Sequence, residues 1–132
     1  MTAVPGETSS RPGSYLAAAD RLLTEVIPGA RGTWPRACAW LIRLALEEEL
    51  TRFWTQVCPP VAGCTSQRAK QLMLTAYASP DTSHRAVHAW ALLSRAGHHQ
   101  AYELGLTSAE LRSMLDDVVA ISAALRAEAA AG

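Results

Sequence analysis

The sequence predicts an all-α fold, an antiparallel bundle of four main helices with one shorter helix. Apolar residues recur at three- and four-residue spacing along most of the chain. No segment sustains strict alternation, and no hairpin dipeptide separates β-branched runs. Pro, Gly and Ser/Thr fall where helices should stop and start, and the short connections make consecutive helices neighbours. The chain has 132 residues, 49% hydrophobic and 18% charged. That is enough to bury one core without a disulfide or a metal, and it excludes a disordered chain.

Residues 1–13 are rich in Pro, Gly, Ser and Thr, lack periodicity and read as a disordered tail; residues 14–132 read as a single helical domain. The first helix is expected to start after a Ser14 cap and run from Tyr15 to Ile27, with Leu16, Ala19, Leu22, Leu23 and Val26 on one stripe. Pro28-Gly29 stops it. Thr33 caps the second, which has Pro35 in its first turn and reaches about Val57, with Ala37, Trp40, Leu41, Leu44, Ala45 and Phe53 as its core. Arg43 with Glu47 and Glu48 with Arg52 are i,i+4 pairs that favour this helix. Pro59-Pro60 ends it, and Val61 to Cys64 read as a loop.

The shorter helix is expected from Thr65 to about Ala78, with Ala69, Leu72, Met73 and Ala76 on one side. Ser79-Pro80 is a cap followed by a first-position Pro. The helix it opens carries Val87, Trp90, Ala91 and Leu92, continues to about Glu103 and stops at Gly105. Thr107 and Glu110 form a capping box for a last helix from about Ser108 to Ala129, built on Leu111, Leu115, Val118, Val119, Ile121 and Leu125, with an Ala-rich end expected to fray.

Lys+Arg and Asp+Glu number 12 each, so the net charge is zero. Attraction of the whole molecule to nucleic acid or anionic lipid is not expected, only that of a local patch. No apolar run approaches the roughly 18–20 residues that span a bilayer, so no membrane partner is expected. No cationic start followed by an apolar stretch marks a signal peptide. With three cysteines, an odd count, the expectation is a cytoplasmic chain with reduced thiols. Cys58 and Cys64 are six apart with no second pair for a structural zinc site, and Cys38 falls in a helix where it should pack. The run Glu47-Glu48-Glu49 points around a helix at about 100° steps and reads as a solvated face rather than a convergent acid/base pair. No metal and no cofactor are expected.

All four histidines lie between His84 and His99. At about 100° per residue, His84, His88, Arg95 and His99 fall within roughly 60° of one another on one helix. His84 and His88, one turn apart, could hold a metal or simply form a wet face; the neighbour of the first is Arg85 rather than the Glu that a hydrolytic zinc helix needs. The stretch Arg95-Ala96-Gly97-His98-His99-Gln100-Ala101-Tyr102-Glu103 concentrates a fixed cation, two imidazoles, an amide, a phenol and a carboxylate. Arg can neutralise a phosphodiester bidentately, and an imidazole that titrates near neutrality can take a 2′-hydroxyl proton or protonate a leaving oxygen. Such a pair is a sufficient minimum for RNA cleavage without a metal. The bland alternative is the ordinary polar end of a helix, whose carbonyl-rich terminus favours cations.

Here the chain resembles the HEPN superfamily, small helical bundles that are typically dimeric, many of them RNases of toxin–antitoxin and defence systems. The hallmark is Arg, four to six residues, then His; one toxin branch has Arg, four residues, His, one residue, Tyr. This sequence has Arg95, four residues, Gln100, Ala101 and Tyr102, so the Arg and Tyr match while Gln100 replaces the His, with His98 and His99 just before it. Trp40 to Leu50 (WLIRLALEEEL) resembles the second helix of such bundles, and the helix order over about residues 14–128 fits. The likeness is greatest to an actinobacterial HEPN-like group with a Trp-rich second helix and a His cluster after Ser94-Arg95.

The resemblance implies a homodimer whose cleft is lined by Arg95 on phosphate and His99 or His98 as acid or base. Gln100, Tyr102 and Glu103 would orient the RNA. It also implies a partner nucleotidyltransferase antitoxin that adds AMP to Tyr102. A Gln cannot exchange a proton at neutral pH, so the role passes to His99 or the domain does not cleave. The competing expectation is therefore a non-catalytic module that binds RNA or a protein partner.

Overall fold

A computed structural model of the protein describes residues 12–25, 34–98 and 107–131. Among these residues the chain forms six helices and no strand: α1 Pro12–Thr24, α2 Trp34–Val57, α3 Pro59–Ala62, α4 Gln67–Leu74, α5 Pro80–His98 and α6 Ser108–Ala131. None is long and apolar enough to cross a membrane.

Two of the capping signals behave as the sequence predicts, at Thr107 and at Ser79. Thr107 and Glu110 close the reciprocal box, with the Thr107 amide on Glu110 Oε1 at 3.1 Å and the Glu110 amide on Thr107 Oγ1 at 3.1 Å. Pro80 opens α5, and Ser79 Oγ accepts the Thr82 amide at 3.2 Å. At the head of α4, Ser66 Oγ accepts the Ala69 amide at 3.1 Å. α1 begins at Pro12, two residues into the expected tail. A proline fits the first turn because its missing N–H has no helical partner there, so Ser14 lies inside the helix instead of capping it. Pro59-Pro60 does end α2, but the pair then opens the one-turn α3, so residues 61–62 of the expected loop are helical.

Helix α2 is central and packs against α1, α5 and α6. Two anchors set its direction relative to α5. The ring of Tyr77, just before α5, meets that of Trp54 edge-on with centroids 5.1 Å apart, and Trp90 Nε1 donates to Glu47 Oε2 at 2.8 Å. As the chain advances through α5 its contacts retreat along α2, so the two are antiparallel. α6 returns antiparallel to α5, because its late residue Glu128 holds Ser79 and Thr82. Arg112 near its start donates to Asp20 of α1 at 2.6 Å, while the Cys38 thiol of α2 donates to the Ala19 carbonyl at 3.7 Å. The end of α1 and the starts of α2 and α6 thus share one end of the bundle. The antiparallel run of α5 carries Arg95 to that end.

The core is formed by Ile42, Leu46, Leu50, Phe53 and Trp54 of α2, Ala86, Ala89 and Leu93 of α5, and Leu111, Leu115, Val118, Ile121 and Leu125 of α6. Each large side chain contributes about 1.5–3 kcal/mol by leaving water. Several expected core positions differ. In α2, Ala37 and Trp40 are exposed and Leu41 and Leu44 half-buried, while Cys38, Ala39 and Ile42 are buried. The first half of that helix is apolar nearly all round, so periodicity alone does not choose between two stripes about 100° apart. In α5, Val87 and Ala91 face out, and Trp90 and Leu92 are half-buried. In α6, Val119 is exposed.

The side of α4 expected to pack is the exposed one: Leu72 and Met73 face out, whereas Lys70, Gln71 and Leu74 are buried. Once Leu74 points inward, residues 70 and 71 share its face and residue 72 lies about 160° away.

Candidate nucleic-acid interface on α5

The expected stripe is partly visible. His84, His88 and Arg95 are all exposed on α5. Their positions fall within about 40° of one another and span roughly 16 Å along the axis. The His84 and His88 rings lie nearly parallel, 7° apart with centroids at 6.4 Å. Arg85, between them in sequence, is half-buried and sits 3.9 Å from Asp81 one turn earlier. The turn preceding the stripe is fixed by the cap at Ser79, and its inner side by Ala86, Ala89, Leu93 and Ala96 in the core.

Beside the two histidines, a cavity of about 100 Å³ opens between α5 and α6, walled by Leu92, Met114 and Ile121 with Arg85 and Asp117 at its edges. Two imidazoles and one guanidinium therefore share this cavity with one carboxylate. Imidazole N–H and guanidinium groups in this order can donate to successive phosphate oxygens of an extended strand. Among the described residues no three His, Cys, Asp or Glu side chains form a group that could hold a metal ion.

Of the sequence-predicted site residues, Arg95 is described in full. His98 is the last residue of α5, and its side chain lies outside the description. His99, Gln100, Tyr102 and Glu103, like the Thr33 cap and the Gly105 stop, lie outside the described residues.

The three consecutive glutamates do not form the solvated face that was expected. Glu49 is 2% exposed and receives Arg126 from α6 at 2.5 Å. The hydrogen bond that Arg126 donates to Glu49 also raises its guanidinium above the ordinary value. Glu47 is half-buried, taken by Trp90 and lying 3.6 Å from Arg43, its expected helix partner. Glu48 is half-buried too, and its Oε2 has no hydrogen-bond partner in place of the expected pairing with Arg52. The physical reason is the central position of α2: with neighbours on three sides, a run of consecutive residues cannot stay in water.

Three features were missed from sequence: Asp117 beside the histidines, the Glu128 clamp on the start of α5, and a cavity that joins Tyr15, Glu48 and Gln67. Each pairs residues far apart in the chain, and no local spacing carries that information. In comparisons with known proteins, no protein-family model matches the chain, and no curated protein or solved structure matches it.

Proposed function

We propose that the chain is an HEPN-like helical domain that engages RNA on the exposed α5 face and cleaves it as an endoribonuclease of toxin–antitoxin or defence type. The observation that carries this reading is the alignment of Arg95 with His84 and His88 on one exposed face. Arg95 holds the scissile phosphate. His99, with His98 beside it, takes the proton from a 2′-hydroxyl, whose oxygen attacks phosphorus. The bond from phosphorus to the 5′-oxygen breaks, and that oxygen leaves with a proton from His98 acting as the acid. The products are a 2′,3′-cyclic phosphate and a 5′-hydroxyl, so no metal is required. Gln100, Tyr102 and Glu103 orient the strand, and two copies of the chain form the cleft. Incubating the purified protein with RNA in EDTA and analysing the end groups tests this directly.

A second reading is favoured by one specific feature, Gln100 at the hallmark His position. In that reading the same face binds RNA or a protein partner, such as a nucleotidyltransferase acting on Tyr102, without cleavage. Its signature is RNA binding with a shallow salt dependence, as a neutral chain with few phosphate contacts requires, and no end-group change.

A further inference from the structure

A second concave site lies away from the α5 stripe. It is a cavity of about 450 Å³ bounded by Tyr15 of α1, by Leu44, Glu47, Glu48, Thr51 and Arg52 of α2, and by Gln67 of α4. Its chemistry is uneven. Glu48 Oε2 and Gln67 Oε1 are both sheltered from solvent, and neither accepts a hydrogen bond. Glu47 is already engaged by Trp90 and Arg43. The hydroxyl of Thr51 is turned back onto the Glu47 carbonyl at 3.0 Å. Arg52 is exposed and does not close an ion pair with Glu48. The site therefore holds two acceptor oxygens that lack donors, with Tyr15 and Leu44 also in its wall.

We infer that this cavity binds a cationic N–H donor group, a guanidinium or a primary ammonium, between Glu48 and Gln67 with Tyr15 as its aromatic wall. A sheltered acceptor without a donor is costly, and a charge-assisted donor is the strongest way to satisfy it. An aromatic face adds to the attraction for a cation. The state of Glu48 agrees: burial pushes its carboxyl above the ordinary carboxylate range, Arg52 opposes this, and Glu49 adds to it. A bound cation would reverse that balance. The inference stands on residues outside the α5 face and is independent of RNA chemistry.

The same group could arrive on a small molecule or on the side chain of a partner protein, and the test separates them. The full-length, isotopically labelled chain is titrated with agmatine in one arm and with an arginine-centred tripeptide in the other. The backbone amides of Thr51, Arg52 and Gln67 serve as reporters. Saturable shifts at those amides are expected in at least one arm. Agmatine binding indicates a free small cation, and binding by the peptide alone indicates a partner's side chain. Glu48→Gln keeps the shape and removes the charge, and it should weaken binding about tenfold, the loss of one charge-assisted hydrogen bond. Gln67→Met should weaken it less, and it carries the test if the first variant does not fold. No saturable shift in either arm would mean that no donor entering the cavity reaches the two oxygens and would overturn the inference. So would equal affinity in wild type and both variants.

Discussion

Thr82 Oγ1 donates to Glu128 Oε2 at 2.6 Å, a bond across 46 residues that fastens the start of α5 to the end of α6. The same carboxylate receives the Ser79 amide at 2.6 Å and its hydroxyl at 3.1 Å, while Ser79 Oγ takes the Thr82 amide, so the two side chains share the orphan groups at this helix start. Glu128→Ala should lower stability by about 1–2 kcal/mol, measured by urea unfolding near neutral pH.

The pH dependence of that clamp has a definite sign. The Thr82 hydroxyl bond, supported by the two from Ser79 and opposed by burial, holds the Glu128 carboxyl below its ordinary value. A depressed carboxylate stabilises fully above its unfolded value of about 4.3, and the contribution is lost as pH falls through the lower folded value. Glu128→Gln should therefore be less stable than wild type near pH 7, with the gap closing as pH falls below the ordinary carboxylate range. A gap that persists unchanged in acid would show that packing rather than charge is responsible.

The Glu49–Arg126 pair links α2 to α6 across the core. Glu49 is 2% exposed and the Arg126 side chain 57%. Removing the arginine leaves a buried carboxylate without its cation. Because the guanidinium is half in water, the cost should fall below that of a fully buried pair, about 2 kcal/mol for Arg126→Ala. Arg126→Lys should recover part of it. Chemical denaturation of the three proteins checks the order.

Burial pushes the Cys38 thiol up to about 11, with Arg112 partly opposing the shift. Iodoacetamide at mildly alkaline pH should therefore modify the half-buried Cys58 and Cys64 well before Cys38, as read by peptide mass spectrometry. The raised thiol also stabilises the fold below its reference value of 9.0, a contribution lost as pH rises toward 11. Equal labelling of all three thiols would contradict the packing of α1 on α2.

What the sequence made legible was local. The Thr107–Glu110 box, the Ser79-Pro80 start and the Pro59-Pro60 stop each depend on residues within a turn of one another, and all three appear where expected. Long apolar periodicity gave the helices of the bundle. It did not give the inward face of α2, because Trp40 and Leu41 compete with Ile42 and Leu46 on a helix apolar on both sides. Nor did it show that Glu49 would be buried, since that depends on Arg126, 77 residues away. In the candidate site, the α5 spacing placed His84, His88 and Arg95 on one exposed face, but Asp117 comes from α6 and no spacing rule reaches it.

Assembly is a separate expectation. If two chains form the RNA cleft, light scattering after gel filtration should give twice the 14.1 kDa of one chain. The exposed Val87 lies on α5 beside the histidines, and Val87→Asp should shift the mass toward the single chain while leaving helicity unchanged.

The most direct test compares rates of RNA cleavage in EDTA for wild type, Arg95→Ala and His99→Ala. The account predicts cyclic-phosphate products from wild type and a loss of about a hundredfold in each variant, the usual contribution of a phosphate-neutralising cation or a general acid/base. Cleavage by wild type no faster than by either variant would contradict it.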